Sequence, residues 1–120
     1  MQTLILFGIP NCSTVKKARD WLEATKIVYQ FHDFKKHGIS ADIINGWFSQ
    51  ISREQLINRA GHTWRGLQAS EKDNIIDNAS AMALMQAKTS IIKRPILVNN
   101  GKIICLGFDE STFIKELTHD

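Results

Sequence analysis

The chain has 120 residues, a formal net charge of +3 and 43% hydrophobic residues. This length accommodates one domain with its own core, so we expect a single domain over residues 1–120. No apolar stretch approaches the roughly 20 residues that cross a bilayer, and the N-terminal run has no basic region typical of a signal peptide. We therefore expect a cytoplasmic protein without a membrane partner. The cationic residues are spread along the chain, which argues against a nucleic-acid partner.

The cysteines and histidines limit the possible chemistry. Cys12 and Cys105 lie far apart and do not form the dense pattern of a disulfide-stapled domain, which favours a catalytic role for one of them. The histidines lack metal-ligand spacing, so no metal site is expected: His32, His37, His62 and His119.

The N-terminal third predicts a strand, a helix and a second strand. Residues 4–7 form an apolar run, and residues 8–11 are typical of a tight loop. A helical face follows, and residues 27–34 alternate like a strand, which implies a parallel pair with a right-handed crossover. The predicted apolar face of the helix contains Val15, Ala18, Trp21 and Leu22.

Cys12 falls at or just before the first turn of this helix. Unpaired backbone N–H groups and the positive end of the helix dipole both favour a thiolate there, and Lys16 and Lys17 add to the same field. The alternative is a small buried core cysteine, since free cysteines are often buried. For Cys105, with its apolar neighbours, a core position is the prediction.

The rest of the chain predicts a helical insert followed by a hairpin and a helix. Ser40 suits the N-cap of a helix, and residues 52–87 continue a helical pattern. Strands at 95–98 and 102–106 flank the turn at 99–101. A closing helix from about Asp109 to Leu117 should bury Phe113, Ile114 and Leu117. This order predicts an α/β thioredoxin-like fold, a βαβ…ββα core with a helical insert at about 40–90.

Arg94 and Pro95 stand at the start of the third strand. A thioredoxin-like order brings this point near the end of the first strand, and a cis peptide before Pro95 would turn the Arg94 backbone toward the thiol loop. An arginine beside a thiolate lowers its pKa, and its planar fork can hold an oxyanion or a carboxylate. The alternative is a solvated charge at a strand end.

Several segments resemble the ArsC/Spx/YffB family of arsenate reductase-like proteins. They are GIPNCSTVKKARDWLE around Cys12, LINRAGHTWRGL at 56–67 and KRPILVNNGKIICLGFDE at 93–110. The TWRGL and GFDE forms are most similar to the YffB branch. The resemblance covers nearly the full length and implies a thioredoxin fold.

In arsenate reductases of this type, a nucleophilic cysteine at the head of the first helix works with three arginines that hold the oxyanion. The resemblance implies Cys12 as the nucleophile and Arg94 as one of these arginines. The other two positions fall on Asn58, beside Arg59, and on or near Leu106. One of the three anion ligands is therefore kept, which makes arsenate a doubtful substrate, although Arg59 or Arg65 could substitute in part.

The predicted function is a glutathione-linked thiol reductase with Cys12 and Arg94 as catalytic residues. Val15 stands three positions after Cys12, which implies a mechanism with one cysteine and an external thiol. No tightly bound cofactor is expected; glutathione is the co-substrate, with glutaredoxin as a second candidate reductant. The alternative is an Spx-like regulatory module that binds RNA polymerase. The predicted substrate-binding residues are Asn11, Ser13, Thr14, Lys16, Arg59 and Pro95.

Overall fold

A computed structural model gives the structure of the protein and describes residues 3–118, so that His119 lies outside the described residues. Its strands are β1 (Leu4–Gly8), β2 (Gln30–Asp33), β3 (Ile96–Asn99) and β4 (Lys102–Leu106). They form one sheet in the order β2-β1-β3-β4, in which β1 is parallel to β2 and antiparallel to β3, and β3 is antiparallel to β4. The predicted parallel pair and C-terminal hairpin are both confirmed.

Eight helices and one 3-10 turn are found among the described residues. They are α1 (Ser13–Ala24), α2 (Phe34–His37), α3 (Ala41–Phe48), α4 (Arg53–Leu56), α5 (His62–Arg65), α6 (Ala69–Asp73), α7 (Asn78–Ala87), the 3-10 turn Thr89–Ile91 and α8 (Glu110–Leu117). None of these helices has the length and apolar character needed to cross a membrane.

The chain forms two compact units. The first unit comprises Met1–Phe34 and Arg94–Asp120 and holds the sheet with α1 and α8; the second unit is Lys35–Lys93 and holds the helical insert. A sheet with the βαβ…ββα order and an insert between β2 and β3 is the thioredoxin-like fold that the sequence predicts.

The core of the first unit lies between the sheet, α1 and α8. Leu6, Ala18, Leu22 and Phe113 are fully buried in it, and Leu4, Leu97 and Cys105 pack in the same cluster. The ring of Phe113 meets Trp21 and Phe108 edge-on, with centroids 5.5 and 4.9 Å apart. Such aromatic pairs add to the free energy gained by burial, so Phe113 anchors α8 to the rest of the unit.

The prediction that Ile114 belongs to the buried face of α8 is wrong. Its side chain is 49% exposed, whereas Phe113 is fully buried and Leu117 packs against the core. The helix is only eight residues long, and only a narrow face of it packs against the core. One residue past Phe113 already lies about 100° around the helix axis, outside this face.

The second strand spans Gln30–Asp33 and is shorter than the predicted 27–34, because residues 27–29 form the connection between the end of α1 and β2. Lys26 has a φ of 59°, and the N–H of Ile27 donates to the carbonyl of Leu22 at 3.0 Å. This left-handed turn with a six-to-one hydrogen bond is a helix C-terminal motif. Val28, predicted to lie in the strand, is 91% exposed.

The insert is a series of short helices rather than one helical run from 52 to 87. Local capping begins several of them: the Ser52 hydroxyl accepts from the Gln55 N–H at 3.2 Å, and the Asp77 carboxylate accepts from the Ser80 N–H at 2.8 Å. Each cap satisfies a backbone donor that a continuous helix would bond internally. Ser40 caps α3 as predicted, accepting from the Ile43 N–H at 3.3 Å.

The hairpin turn forms within the predicted segment 99–101, at Asn100 and Gly101, whereas Asn99 is the last residue of β3 and pairs with Lys102. Asn100 and Gly101 both have positive φ, 52° and 84°, as a two-residue turn between right-twisted strands requires. The Asn100 side-chain oxygen accepts from the Thr3 N–H at 2.7 Å, and the Asn100 N–H donates to the Thr3 carbonyl at 2.9 Å. The turn is thereby tied to the residue that precedes β1.

Candidate functional site

Cys12 is the N-cap residue of α1. Its φ and ψ, −141° and 126°, are extended, and its carbonyl accepts the first helical hydrogen bond from Lys16 N–H at 2.9 Å. The side chain is partly exposed, and the first turn of α1 contains no acidic residue. The thiol therefore sits at the positive end of a 12-residue helix with no carboxylate of that turn to offset the field.

Gly8, the last residue of β1, allows the loop to fold closely over α1. A Cβ at Gly8 would lie 2.9 Å from Val15 Cγ2, a distance that side-chain carbons do not tolerate. Val15 is fully buried and β-branched, so it has little freedom to move away. This requirement was missed at the sequence level; a glycine where a strand passes into a helix was the available signal.

The pKa of Cys12 is lowered below the ordinary value for a thiol. Partial burial raises it, but the backbone N–H groups of Val15 and Thr14 and the guanidinium of Arg94 together outweigh burial. Cys12 makes no side-chain capping hydrogen bond, so the two N–H groups act on the sulfur as nearby donors and not as a closed cap. A lower pKa raises the fraction of thiolate, the nucleophilic form, near neutral pH.

Arg94 reaches the thiol because β1 and β3 are antiparallel neighbours. Phe7, near the end of β1, pairs with Ile96, near the start of β3. Cys12 follows β1 and Arg94 precedes β3, so this pairing brings both residues to the same end of the two central strands. The Arg94–Pro95 peptide bond is cis, and the buried Pro95 accepts a hydrogen bond from Gly107 N–H at 2.7 Å.

The other predicted residues of the thiol loop differ in their surroundings. Thr14 contributes a backbone N–H to the field at the sulfur, whereas Asn11 and Ser13 are exposed. The ammonium of Lys16 binds the Asp20 carboxylate at 2.9 Å, with both side chains largely in solvent. Lys16 is not among the groups that lower the pKa of Cys12, so its main interaction in the structure is the helix-surface ion pair.

Arg59 belongs to the second unit, where its guanidinium carbon lies 5.2 Å from the ring centroid of Trp64. Arg65, in the same unit, approaches the Nδ1 atom of His62 at 3.5 Å. That Arg59 binds substrate stays a prediction. Asn58, where the resemblance predicts one of the family arginine positions, uses its side-chain oxygen to accept from the Ala60 N–H at 3.2 Å and so closes a local turn.

Cys105 is buried on β4, as predicted. Its thiol donates to the Gly107 carbonyl at 3.3 Å, and burial raises its pKa. Both cysteines are free thiols. The opposite pKa shifts of Cys12 and Cys105 give Cys12 the larger fraction of thiolate near neutral pH.

The fold and this site define a thioredoxin-like α/β protein with a cysteine of lowered pKa at the head of its first helix. The chain belongs to the ArsC family, whose sequence pattern matches residues 7–115. The resemblance inferred from the motifs is thereby confirmed.

Several relatives cover nearly the whole chain. An uncharacterized protein of Haemophilus influenzae is 33% identical over 110 residues, which are 92% of this chain and 95% of that protein. The global transcriptional regulator Spx of Streptococcus mutans is 25% identical over 119 residues, 96% of this chain and 83% of the regulator.

Two solved structures give the same family assignment. A protein named YffB is 39% identical and superposes with a TM-score of 0.88 over 96% of this chain and 99% of its own. An arsenate reductase (ArsC) related protein from Brucella melitensis is 41% identical, with a TM-score of 0.74 over 98% of this chain and 96% of that one.

Proposed function

We propose that this protein is a cytoplasmic thiol-dependent reductase in which Cys12 is the nucleophile and glutathione the external thiol. The observation that carries the proposal is the lowered pKa of Cys12 at the N-terminus of α1, beside Arg94. Membership of a family that includes arsenate reductase-like proteins supports redox chemistry at this cysteine.

The reaction requires three thiol–disulfide exchanges. The Cys12 thiolate attacks one sulfur of a substrate disulfide, which forms a mixed disulfide and releases the first substrate thiolate. A glutathione thiolate then attacks the Cys12 sulfur, releases the second substrate thiolate and leaves Cys12 glutathionylated. A second glutathione attacks the glutathione sulfur of this adduct, which frees Cys12 and forms glutathione disulfide. One substrate disulfide is reduced and two glutathione molecules are oxidised.

A single cysteine suffices because an external thiol resolves each intermediate. Val15, at the position where a Cys-x-x-Cys motif would have its second cysteine, is fully buried and apolar. Arg94 would hold a carboxylate of glutathione as well as stabilise the thiolate, since its planar fork suits carboxylates. Asn11, Ser13, Thr14 and Pro95 are proposed to line the bound thiol, with glutaredoxin a second candidate for removing it from Cys12.

Disulfide reduction fits the site better than reduction of arsenate. By the resemblance to the arsenate reductases, two of the three anion-binding positions fall here on the uncharged Asn58, beside Arg59, and on or near the uncharged Leu106. Each charge-assisted hydrogen bond to an anion contributes about 1.5–3 kcal/mol, so the loss of two weakens arsenate binding by several powers of ten.

The proposal is tested by incubating the protein with glutathione disulfide and measuring its intact mass. We expect one glutathione on Cys12, no adduct on Cys12→Ser and an unchanged adduct on Cys105→Ser. Wild type without an adduct would contradict the proposal, and so would labelling that persists in Cys12→Ser. Turnover of arsenate with glutathione and glutaredoxin would show that oxyanion reduction is the activity instead.

The second candidate is a regulatory module that binds RNA polymerase, because the Spx regulators align with 96% of this chain. Against it, the Spx proteins resembled here typically carry a Cys-x-x-Cys switch, which Val15 interrupts. Co-purification with RNA polymerase distinguishes the two. Binding of the polymerase together with no glutathione adduct would favour the regulatory module.

A further inference from the structure

Five neighbouring side chains of the second unit combine positive charge with one indole. The Arg59 guanidinium carbon lies 5.2 Å from the ring centroid of Trp64, and the Lys72 ammonium lies 6.0 Å from the same centroid. Arg65 approaches His62 at 3.5 Å within α5, the helix that carries Trp64. We call this group the Trp64 patch: Arg59, His62, Trp64, Arg65 and Lys72.

The positive charge of the protein is concentrated in the unit that carries this patch. The second unit has eight lysines and arginines against five aspartates and glutamates, whereas the first unit has seven of each. The whole net charge of +3 therefore belongs to the second unit. An anionic partner would be steered toward it over distances of about a Debye length, roughly 8–10 Å.

The cations of the patch are not neutralised within the described part of the chain. Arg59, Arg65 and Lys72 form no ion pair with any residue of 3–118. The nearby Glu71 is used locally, because its carboxylate accepts from the Gln68 N–H at 3.0 Å at the start of α6. Contact with an indole face holds a guanidinium in place without using its N–H donors, which stay available to an acceptor.

We propose that the Trp64 patch binds an acidic polypeptide segment of a partner protein. Two cationic groups lie within 6.0 Å of the indole centroid, so the patch presents positive charge beside the ring. Single-stranded nucleic acids, in contrast, are bound by stacking of bases on open aromatic faces. Isolated exposed ion pairs contribute little, so binding needs several anionic groups at once. Alternate side chains of an extended segment project about 7 Å apart on one face, so a short acidic stretch presents several carboxylates to the patch at once.

The first experiment follows the Trp64 indole N–H by NMR while an octaglutamate peptide is added, with the signal assigned through Trp64→Phe. We expect the signal to shift saturably and the binding to weaken as salt is raised. The comparison ligands are octalysine, an eight-nucleotide oligothymidylate and inorganic phosphate. An unshifted Trp64 signal would overturn the proposal. Tighter binding of the oligonucleotide, or equal binding of phosphate, would also overturn it.

Two double variants with the same loss of net charge distinguish binding at the Trp64 patch from nonspecific electrostatic attraction to the whole protein. Arg59→Gln with Lys72→Gln should raise the Kd for octaglutamate about two- to thirtyfold, because two exposed charge-assisted contacts are lost. Lys17→Gln with Lys88→Gln lowers the net charge equally at exposed positions outside the patch and should change the Kd much less. Equal weakening in both double variants would overturn the proposal.

The charge-keeping pair Arg59→Lys with Lys72→Arg should retain most of the binding, and urea unfolding of each variant checks that it is folded. If the two glutamine substitutions prevent folding, loss of binding in this second pair while it stays folded would overturn the proposal. The inference rests on the second unit alone. It survives or fails independently of the chemistry proposed for Cys12.

Discussion

The guanidinium of Arg94 interacts with the sulfur of Cys12, although the whole helical insert separates the two residues in the sequence. The antiparallel pairing of Phe7 with Ile96 brings the two residues to the same end of the two central strands, and Arg94 lowers the pKa of the thiol both by hydrogen bonding and by its charge. The backbone N–H groups at the head of α1 act in the same direction. The site thus combines a fixed backbone field with one side chain that can be replaced.

Replacing Arg94 with glutamine should raise the pKa of Cys12, because a hydrogen bond and a positive charge are removed together. The thiolate fraction below that pKa falls about tenfold for each unit of increase. Thiolate absorbance against pH, with Cys12→Ser subtracted, measures the effect. Lys17→Gln removes a nearby exposed charge and should leave the pKa almost unchanged. An unaltered titration in Arg94→Gln would show that the helix alone activates the thiol.

The same pKa shift predicts a pH-dependent contribution to stability. The folded-state pKa of Cys12 lies below the unfolded value, so the thiolate stabilises the folded protein above the ordinary thiol pKa. This contribution is lost as pH falls through the folded-state pKa. The difference in the free energy of unfolding between wild type and Cys12→Ser should therefore shrink over that range. Urea unfolding at a series of pH values tests it, and a difference that grows toward low pH would contradict the sign.

Gly8→Ala should destabilise the protein by about 1–3 kcal/mol, because the added methyl group would overlap the buried Val15. The second substitution Val15→Ala makes room for it. In that background Gly8→Ala should cost much less, and the double-mutant cycle reports the interaction directly. Additive costs would mean that the methyl group is accommodated elsewhere.

Cys105 should react far more slowly than Cys12 with iodoacetamide at neutral pH. Its thiol is buried, it donates to the Gly107 carbonyl, and its pKa is raised by burial. Peptide mapping after short exposure should find label on Cys12 alone, and on both cysteines after denaturation. Equal labelling in the folded protein would indicate that β4 opens readily.

Phe113→Ala should cost about 3–5 kcal/mol of unfolding free energy, because it empties a fully buried ring site beside Trp21 and Phe108. Ile114→Ala should cost about 1 kcal/mol or less, since the side chain is half exposed. The two residues are adjacent on one helix, so each serves as the control for the other in urea unfolding. Similar costs would mean that α8 packs on a different face.

Local sequence patterns predict the elements around the thiol well. Alternation and turn residues locate the β3–β4 hairpin, and the loop before the first helix locates Cys12 at its head. The meeting of Cys12 with Arg94 also follows, once the order of elements predicts a thioredoxin-like sheet. These features depend on short-range chemistry and on topology, both of which the order of residues encodes directly.

Other features depend on which of several possible hydrogen bonds or packing contacts forms, and the pattern of residue types does not decide this. The apolar residues between 52 and 87 are compatible with one long helix, but side-chain caps at Ser52 and Asp77 compete successfully for its backbone donors. Ile114 has the character of a core residue, yet only tertiary packing decides how wide a stripe of α8 is covered. The contact between Arg59 and Trp64 likewise depends on the turn that leads from Arg59 into α5, whose geometry the residue types alone do not give.

In the sheet of the first unit, β1 pairs with β3, although the residues of the second unit separate these two strands in the sequence. During synthesis the ribosome releases Cys12 long before Arg94. Until residues 94–99 emerge and β3 pairs with β1, Arg94 is not beside the thiol. Before that point, only the backbone N–H groups of α1 can lower the pKa of Cys12. The full lowering of the Cys12 pKa therefore requires that β3, which follows the whole helical insert in the sequence, has joined the sheet.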